Sequence, residues 1–121
     1  MDDRLRHEVL GLIEGLAVRE KDRLAALGTF VEIEDLAAEI GDEVARQLAR
    51  LELSRRAQEM AAAGVHRCPE CGKEAPVEAQ LEPLILQGRR GEIEYREPRC
   101  HCTRCRVSFF PSGGRTAAAG A

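Results

Sequence analysis

Apolar residues in the first half of the chain recur every three or four positions, which is the spacing of one helical face. One such run covers residues 4–27 and stops at Gly28, and a second covers residues 32–63 and stops at Gly64. The stripe of the second run consists of Leu36, Ile40, Val44, Leu48 and Leu51. A helix cannot bury such a stripe alone, so the pattern predicts an antiparallel helical hairpin, packing on the rest of the chain, or packing on a second chain.

Beyond the second helix the apolar period shortens to two, which is the alternation of a half-buried strand. Two strands are predicted, over residues 77–86 and 92–99. In the second of them Ile93 and Tyr95 share one face. A third short strand follows over residues 107–110. The pattern therefore predicts a three-stranded antiparallel sheet after the helices.

The strongest chemical signal is a set of four cysteines in two Cys-x-x-Cys pairs, Cys68 with Cys71 and Cys102 with Cys105, with thirty residues between the pairs. A turn with two intervening residues points both thiolates of a pair at one ion, and two such turns complete a tetrahedron about 2.3 Å from each sulfur. Gly72 follows the first pair and can take the positive φ that the exit of such a turn needs. The spacing predicts a structural metal site.

Zinc is the metal that this pattern favours. Disulfides suit secreted proteins, and the charged amino terminus does not resemble a signal peptide. A redox dithiol would explain one pair and leave the other without a role. Rubredoxin-type iron would use similar thiolates, but the second pair lacks a following glycine and only 3% of residues are aromatic. We expect one structural Zn²⁺, with iron as the alternative metal.

Three further candidate ligands, Cys100, His66 and His101, lie beside the pairs. The one-residue spacing between Cys100 and Cys102 would place both side chains on one face of a strand, which makes Cys100 an alternative ligand. Four thiolates already close a structural site. We therefore interpret Cys100 as a small buried residue and both histidines as surface residues.

Together these signals predict an α+β protein, with an N-terminal α-helical hairpin followed by a small zinc ribbon that carries the three-stranded sheet. The predicted parts are a helical segment over 1–64, the ribbon over 65–111 and a disordered tail over 112–121. So small a sheet has almost no apolar core. We expect the metal to contribute on the order of 10 kcal/mol to its folding.

Charge is divided unequally along the chain. Residues 1–64 carry nine Lys and Arg against fourteen Asp and Glu, whereas residues 65–121 carry nine against seven. Six arginines of the second part lie within eighteen residues: Arg89, Arg90, Arg96, Arg99, Arg104 and Arg106. A phosphate-contacting surface needs such clustering, although solvated hairpins also show it and three glutamates dilute it here.

Several classes of function lack their signals. The chain has no run of eighteen apolar residues, so we expect a soluble, cytoplasmic protein and no membrane partner. A Ser-His-Asp arrangement, a Gly-rich phosphate loop and a compact carboxylate pair do not occur at a convincing spacing. Four thiolates leave zinc no open coordination position. We therefore do not expect an enzyme.

The order and spacing of several short runs resemble the amino-terminal region of bacterial insertion-sequence transposases of the Kra group. The runs are CPECG over 68–72, GEIEY over 91–95 and HCTRCRVSFFP over 101–111, preceded by FVEIE over 30–34 and GDEVAR over 41–46. The resemblance covers roughly residues 28–112. Cys100 departs from it, because the family tends to carry an aromatic residue at that place.

The resemblance implies a zinc-ribbon module that binds DNA. The family continues into a longer catalytic part, whereas this chain stops ten residues after Pro111, so no phosphoryl transfer is expected of it. Phosphates would be contacted by four arginines: Arg89 and Arg90 between the first two strands, and Arg104 and Arg106 at the second cysteine pair. The alternative is a zinc-stapled module for protein interaction or dimerisation, in which the acidic helical half is a homodimer contact or binds a partner protein.

Overall fold

The structure, a computed structural model, describes residues 1–112, so the predicted tail lies outside the described residues except for Ser112. Three helices come first: α1 (Asp3–Arg19), α2 (Lys21–Ala25) and α3 (Phe30–Ala63). Six strands follow: β1 (Val65–Arg67), β2 (Glu74–Pro76), β3 (Glu82–Gly88), β4 (Gly91–Glu97), β5 (Cys100–Cys102) and β6 (Val107–Phe109). The α+β class is confirmed. The chain divides into two compact units, Met1–Gly41 and Asp42–Ala121.

Side-chain caps set the starts of the two long helices. The carboxylate of Asp2 accepts the backbone N–H of Leu5 at 2.8 Å and begins α1. The hydroxyl of Thr29 accepts the backbone N–H of Glu32 at 3.1 Å, while the Glu32 carboxylate reaches back to the N–H of Gly28 at 3.1 Å. This capping box starts α3 at Phe30, two residues before the predicted start at 32. The first predicted helix is interrupted, because α1 ends at Arg19 before the short α2.

The first compact unit, residues 1–41, contains no buried residue. Of the apolar residues of α1, Val9 and Leu16 are half-buried, whereas Leu12 is 73% exposed. The helices of this unit are thus fixed by local hydrogen bonds and caps, with little apolar burial to support them.

The second compact unit begins within α3, where the helix has two apolar faces. The predicted face, with Val44, Leu48 and Leu51, is exposed to solvent. Leu53 and Met60 lie on roughly the opposite side, at about 100° of rotation per residue, and face β4 across a cleft. Between them lies Ala57, the single buried residue of α3. The face that packs on the sheet region is therefore not the one that the longest apolar stripe indicated.

The strands form three two-stranded antiparallel sheets, β1 with β2, β3 with β4 and β5 with β6. The strand pairing differs from the predicted three-stranded sheet, because each cysteine pair lies in the turn of its own two-stranded hairpin. β6 therefore pairs with β5 rather than with β4. An isolated bridge between Val77 and Cys100 connects the two cysteine hairpins. The first long strand begins at Glu82 instead of residue 77.

The β3–β4 hairpin runs along α3. Its two-residue turn, Arg89 and Arg90, lies beside Arg46, whose guanidinium donates to the Arg90 carbonyl. At its other end Tyr95 is buried, and Glu97 is only 1% exposed. The predicted alternation of β4 is confirmed for Ile93 and Tyr95, and it continues in phase to this buried carboxylate.

Candidate metal centre

The two cysteine turns have closely similar backbone hydrogen bonds. In the first, the N–H of Gly72 donates to the Cys68 carbonyl at 2.9 Å, and the N–H of Glu70 points to the Cys68 sulfur at 3.4 Å. In the second, the N–H of Arg106 donates to the Cys102 carbonyl at 2.7 Å. Each turn therefore fixes its own pair of sulfurs independently of the rest of the fold.

The residues that leave the two turns adopt the same left-handed conformation. Gly72 has φ 76° and Arg106 has φ 59°. Arg106 is the only non-glycine residue with positive φ among the described residues, 1–112. The glycine that the second pair lacks in the sequence is thus replaced by an arginine that takes the glycine conformation at a cost of about 1–2 kcal/mol.

The four sulfurs come together at one point, although the two pairs are thirty residues apart. The Sγ atoms of Cys68, Cys71, Cys102 and Cys105 all lie within 4.8 Å of one another. Cys71 and Cys102 are 3.6 Å apart, and Cys68 and Cys105 are 3.9 Å apart. Four sulfurs about 2.3 Å from a tetrahedral ion are separated by about 3.8 Å, so these two separations suit a tetrahedral metal site.

The electrostatics of the cluster favour a bound cation. The backbone N–H of Cys105 donates to the Cys102 sulfur at 3.4 Å and lowers the pKa of Cys102 to about 7. Hydrogen bonding to Cys71 and burial raise the pKa of Cys105 to about 12. Without a metal ion, the pKa of Cys102 thus lies near neutral pH, whereas that of Cys105 is raised well above it. A divalent metal ion would supply the positive charge that four thiolates need.

The neighbouring candidate ligands lie outside the cluster. Cys100 is fully buried, as interpreted from the sequence, and burial raises the pKa of its thiol. His101 is exposed, as predicted, with its Nδ1 3.1 Å from the Ser108 hydroxyl. The surface prediction for His66 is wrong: this residue is half-buried, and its Nε2 lies 2.7 Å from the Met60 carbonyl near the end of α3.

Cys100 also belongs to the small core that surrounds the sulfurs. The core consists of Cys68, Ala75, Cys100, Cys102 and Phe109, with Cys71, Val77 and Cys105 packed against it. Five of these eight side chains are cysteines. A core of this composition buries little apolar area, so a metal ion held by its thiolates would add much of its stability.

The six clustered arginines fall into two groups. In the first, Arg99 lies 2.7 Å from the Glu78 carboxylate and 3.3 Å from that of Glu82, and Arg90 lies 3.7 Å from Asp42. Arg96 donates to the Leu81 carbonyl. These three side chains hold the hairpins in place.

The other three arginines, Arg89, Arg104 and Arg106, are exposed, and their guanidinium groups contact no partner within residues 1–112. The resemblance implicates four arginines in phosphate contact. Three of them, Arg89, Arg104 and Arg106, are thus available to bind a phosphate. Arg90 is partly neutralised by α3.

The second cysteine hairpin presents a surface rich in hydrogen-bond donors. Its exposed residues include His101, Thr103, Arg104, Arg106 and Ser108. No aspartate or glutamate occurs between Pro98 and Ser112. The first cysteine hairpin, in contrast, carries Glu70 in its turn and Glu74 in β2. The positive charge of the ribbon is therefore concentrated at the second hairpin.

Two structural contributors were missed by sequence reasoning. Glu97 is buried beside the Tyr95 hydroxyl, which donates to its carboxylate at 3.2 Å; burial and this negative charge raise the pKa of Tyr95 to about 12. A cleft of about 590 Å³ lies between this pair and α3, lined in part by Leu53, Met60 and His66. The period-two pattern of β4 and the spacing of Leu53, Ala57 and Met60 were the available signals.

Comparison with known proteins leaves this architecture without a match. No protein-family model, curated protein or solved structure matches the chain. Among the helices of residues 1–112, none combines the length and apolar character needed to cross a membrane.

Proposed function

We propose that this chain is a zinc-ribbon module that binds nucleic acid, with DNA as the expected partner. The single observation that carries this proposal is the second cysteine hairpin, where the turn that holds two of the four clustered cysteines presents exposed arginines without an acidic residue nearby in the sequence. Arg104 lies inside the Cys102–Cys105 turn, and Arg106 directly follows it. The metal would hold both side chains in a fixed position from which they can contact adjacent phosphates.

Zinc is the proposed metal. The sulfur separations of 3.6 and 3.9 Å fit a tetrahedral ion, and Cys100, the only other thiol, is excluded from the cluster. Four thiolates bound to Zn²⁺ carry a net charge of −2, which Arg104 and Arg106 partly compensate. A bound zinc ion of this kind would supply structure and no reaction, because its coordination is complete.

The resemblance to the amino-terminal region of Kra-group transposases supports DNA as the nucleic acid. The motifs that carry it, CPECG over 68–72 and CTRC over 102–105, are the two turns of the cluster. In this proposal the arginines contact the backbone, which positions the module without reading sequence. Affinity would then fall steeply with salt, by roughly 0.9 decades per decade of salt for each phosphate contact on duplex DNA.

The proposal is tested by titrating the zinc-loaded full chain onto a fluorescent DNA duplex at two salt concentrations. Replacing Arg104 and Arg106 together by alanine should weaken binding about tenfold or more and reduce the salt slope by about two contacts. Arg89→Ala should have a smaller effect. Zinc content per chain, measured on the same samples, checks that the ribbon remains intact.

A matched control is the double variant Arg4→Ala with Arg6→Ala, which removes the same net charge from α1. Binding should stay within about twofold of the unchanged chain, since net charge alone acts weakly at physiological salt. If the affinity for DNA falls equally in both double variants, the loss of binding comes from the change in net charge and not from Arg104 and Arg106 in particular. A zinc-loaded chain that binds no duplex at low salt would refute the proposal.

A further inference from the structure

The cleft between α3 and β4 contains a buried carboxylate that has no cation beside it. Glu97 lines this cleft of about 590 Å³ and is only 1% exposed. One carboxylate oxygen, Oε2, accepts the Tyr95 hydroxyl at 3.2 Å. Within residues 1–112, the other oxygen, Oε1, accepts no hydrogen bond, and Glu97 forms no ion pair. Buried carboxylates are normally paired with a cation or fully hydrogen-bonded, so Glu97 is an exception that requires an explanation.

The two basic side chains that line the cleft are bonded to other groups. Arg56 donates to the Glu52 carboxylate at 2.8 Å, in an exposed pair along α3. His66 Nε2 lies 2.7 Å from the Met60 carbonyl. Because a carbonyl can only accept, this nitrogen carries the proton and donates it there. Neither basic side chain therefore neutralises Glu97.

The chemistry of the cleft selects a small organic cation. Leu53, Met60 and Ala63 contribute apolar surface to its lining, and its two carboxylates, Glu59 and Glu97, oppose an anion. A metal ion is disfavoured, because within residues 1–112 only the four clustered cysteines bring three or more possible metal ligands together. An ammonium group on a short alkyl chain matches both features, since its N–H donors suit Oε1 and its carbon atoms suit the apolar lining.

We propose that the cleft between α3 and β4 binds a small alkylammonium ion, with Glu97 as its counter-ion. Tyr95 positions the carboxylate through Oε2; burial and the negative charge of Glu97 raise the pKa of Tyr95 to about 12, so its hydroxyl stays a donor at neutral pH. The cation reaches Oε1 when side chains beside it shift, and Met60, an unbranched side chain with three rotatable bonds, is suited to this movement. The site shares no residue with the second cysteine hairpin, so it is independent of nucleic-acid binding.

Tyr95 gives this cleft its own optical signal, because the chain contains one tyrosine and no tryptophan. In the experiment, n-butylammonium chloride is titrated into the zinc-loaded full chain at constant ionic strength, and the fluorescence of Tyr95 is recorded. We expect a saturable change with half-saturation in the millimolar range, which is accessible to a ligand with so few atoms. The neutral analogue 1-butanol should need a concentration at least about tenfold higher, because it lacks the charge that Glu97 attracts.

Glu97→Gln tests the carboxylate, because it keeps the size of the side chain and an acceptor for the Tyr95 hydroxyl. The affinity for n-butylammonium should fall at least about tenfold. Glu94→Gln is the matched control: it removes the same charge from an exposed position of β4 and should leave the affinity within about twofold. Zinc content and helical circular dichroism establish that each variant is folded. The rise in thermal midpoint on adding ligand gives a second measure of binding that does not depend on Tyr95 fluorescence.

Arg115→Ala distinguishes a free ligand from a cation of the chain itself, since Arg115 follows Ser112, a residue of the cleft, by three positions in the sequence. The affinity for n-butylammonium should be unchanged in this variant. An affinity about tenfold higher would show that Arg115 competes for Glu97, and would overturn the assignment to a free ligand. Equal binding by the Glu97→Gln variant would overturn it too, as would the absence of a saturable change in the unchanged chain.

Discussion

The cysteine hairpins and the β3–β4 hairpin belong to the same compact unit but are stabilised by different means. The strands of the cysteine hairpins are three residues long, and their core consists largely of sulfur. The strands of the β3–β4 hairpin are seven residues long, and Tyr95 of β4 faces Leu53 and Met60 of α3 across a cleft. Metal coordination by the four clustered cysteines would thus replace in the first region what backbone pairing and apolar contact provide in the second.

Loss of the metal should have the largest effect, because it should unfold the cysteine hairpins and leave the β3–β4 hairpin folded. Cys71→Ser should remove most of the metal affinity, which contributes on the order of 10 kcal/mol, and abolish amide-exchange protection in β1, β2, β5 and β6. Protection in α3, β3 and β4 should survive. Cys100→Ala is the matched control, since it deletes a buried thiol outside the cluster and should leave one zinc per chain.

The comparison fails if protection in α3 and the β3–β4 hairpin disappears together with that of the cysteine hairpins. In that case the Arg99 contacts with Glu78 and Glu82, which join the two regions, would make them one cooperative unit.

The sequence was informative where the determinants are local. The Cys-x-x-Cys spacing located the four cysteines that cluster, because each turn is fixed by its own backbone hydrogen bonds. The alternation in β4 placed Ile93 and Tyr95 on the inner face. The pairing of the strands could not be predicted from periodicity. β6 pairs with β5 because a short turn connects them.

The packing face of α3 could not be chosen from periodicity alone either. Val44, Leu48 and Leu51 form the more apolar stripe, whereas the face towards β4 carries Ala57 and Met60 with charged neighbours. Ala57, a small residue, is nevertheless the buried residue of α3. The most apolar stripe of α3 thus does not mark the face on which its buried residue lies.

A change at this helix face should loosen the second region and spare the first. Ala57→Leu adds three carbons where the alanine is 1% exposed, and overpacking of this kind costs about 1–3 kcal/mol. We expect a lower thermal midpoint at full zinc content. Ala62→Leu, the same substitution at an exposed position of α3, should change stability by at most about 0.5 kcal/mol. Equal destabilisation by both variants would show that tight packing at Ala57 does not contribute to the stability of the second region.

The smallest expected effects concern the two cysteine turns, whose exit residues differ. Gly72→Ala should destabilise the zinc-loaded chain by about 1 kcal/mol through its positive φ alone, because a Cβ there would meet no atom within 4 Å. Arg106→Gly should do the reverse, raising stability by up to about 1 kcal/mol by relieving the same strain. Denaturant unfolding of zinc-loaded protein measures both changes.

Arg106→Gly also separates stability from binding. If the arginine occupies a strained position because it contacts phosphate, the glycine variant should be more stable and yet bind DNA less tightly, with a salt slope reduced by about one contact. An unchanged slope together with increased stability would make Arg106 dispensable for binding. The strain would then have no role in the function proposed here, and Arg104 alone would connect the metal centre to the DNA backbone.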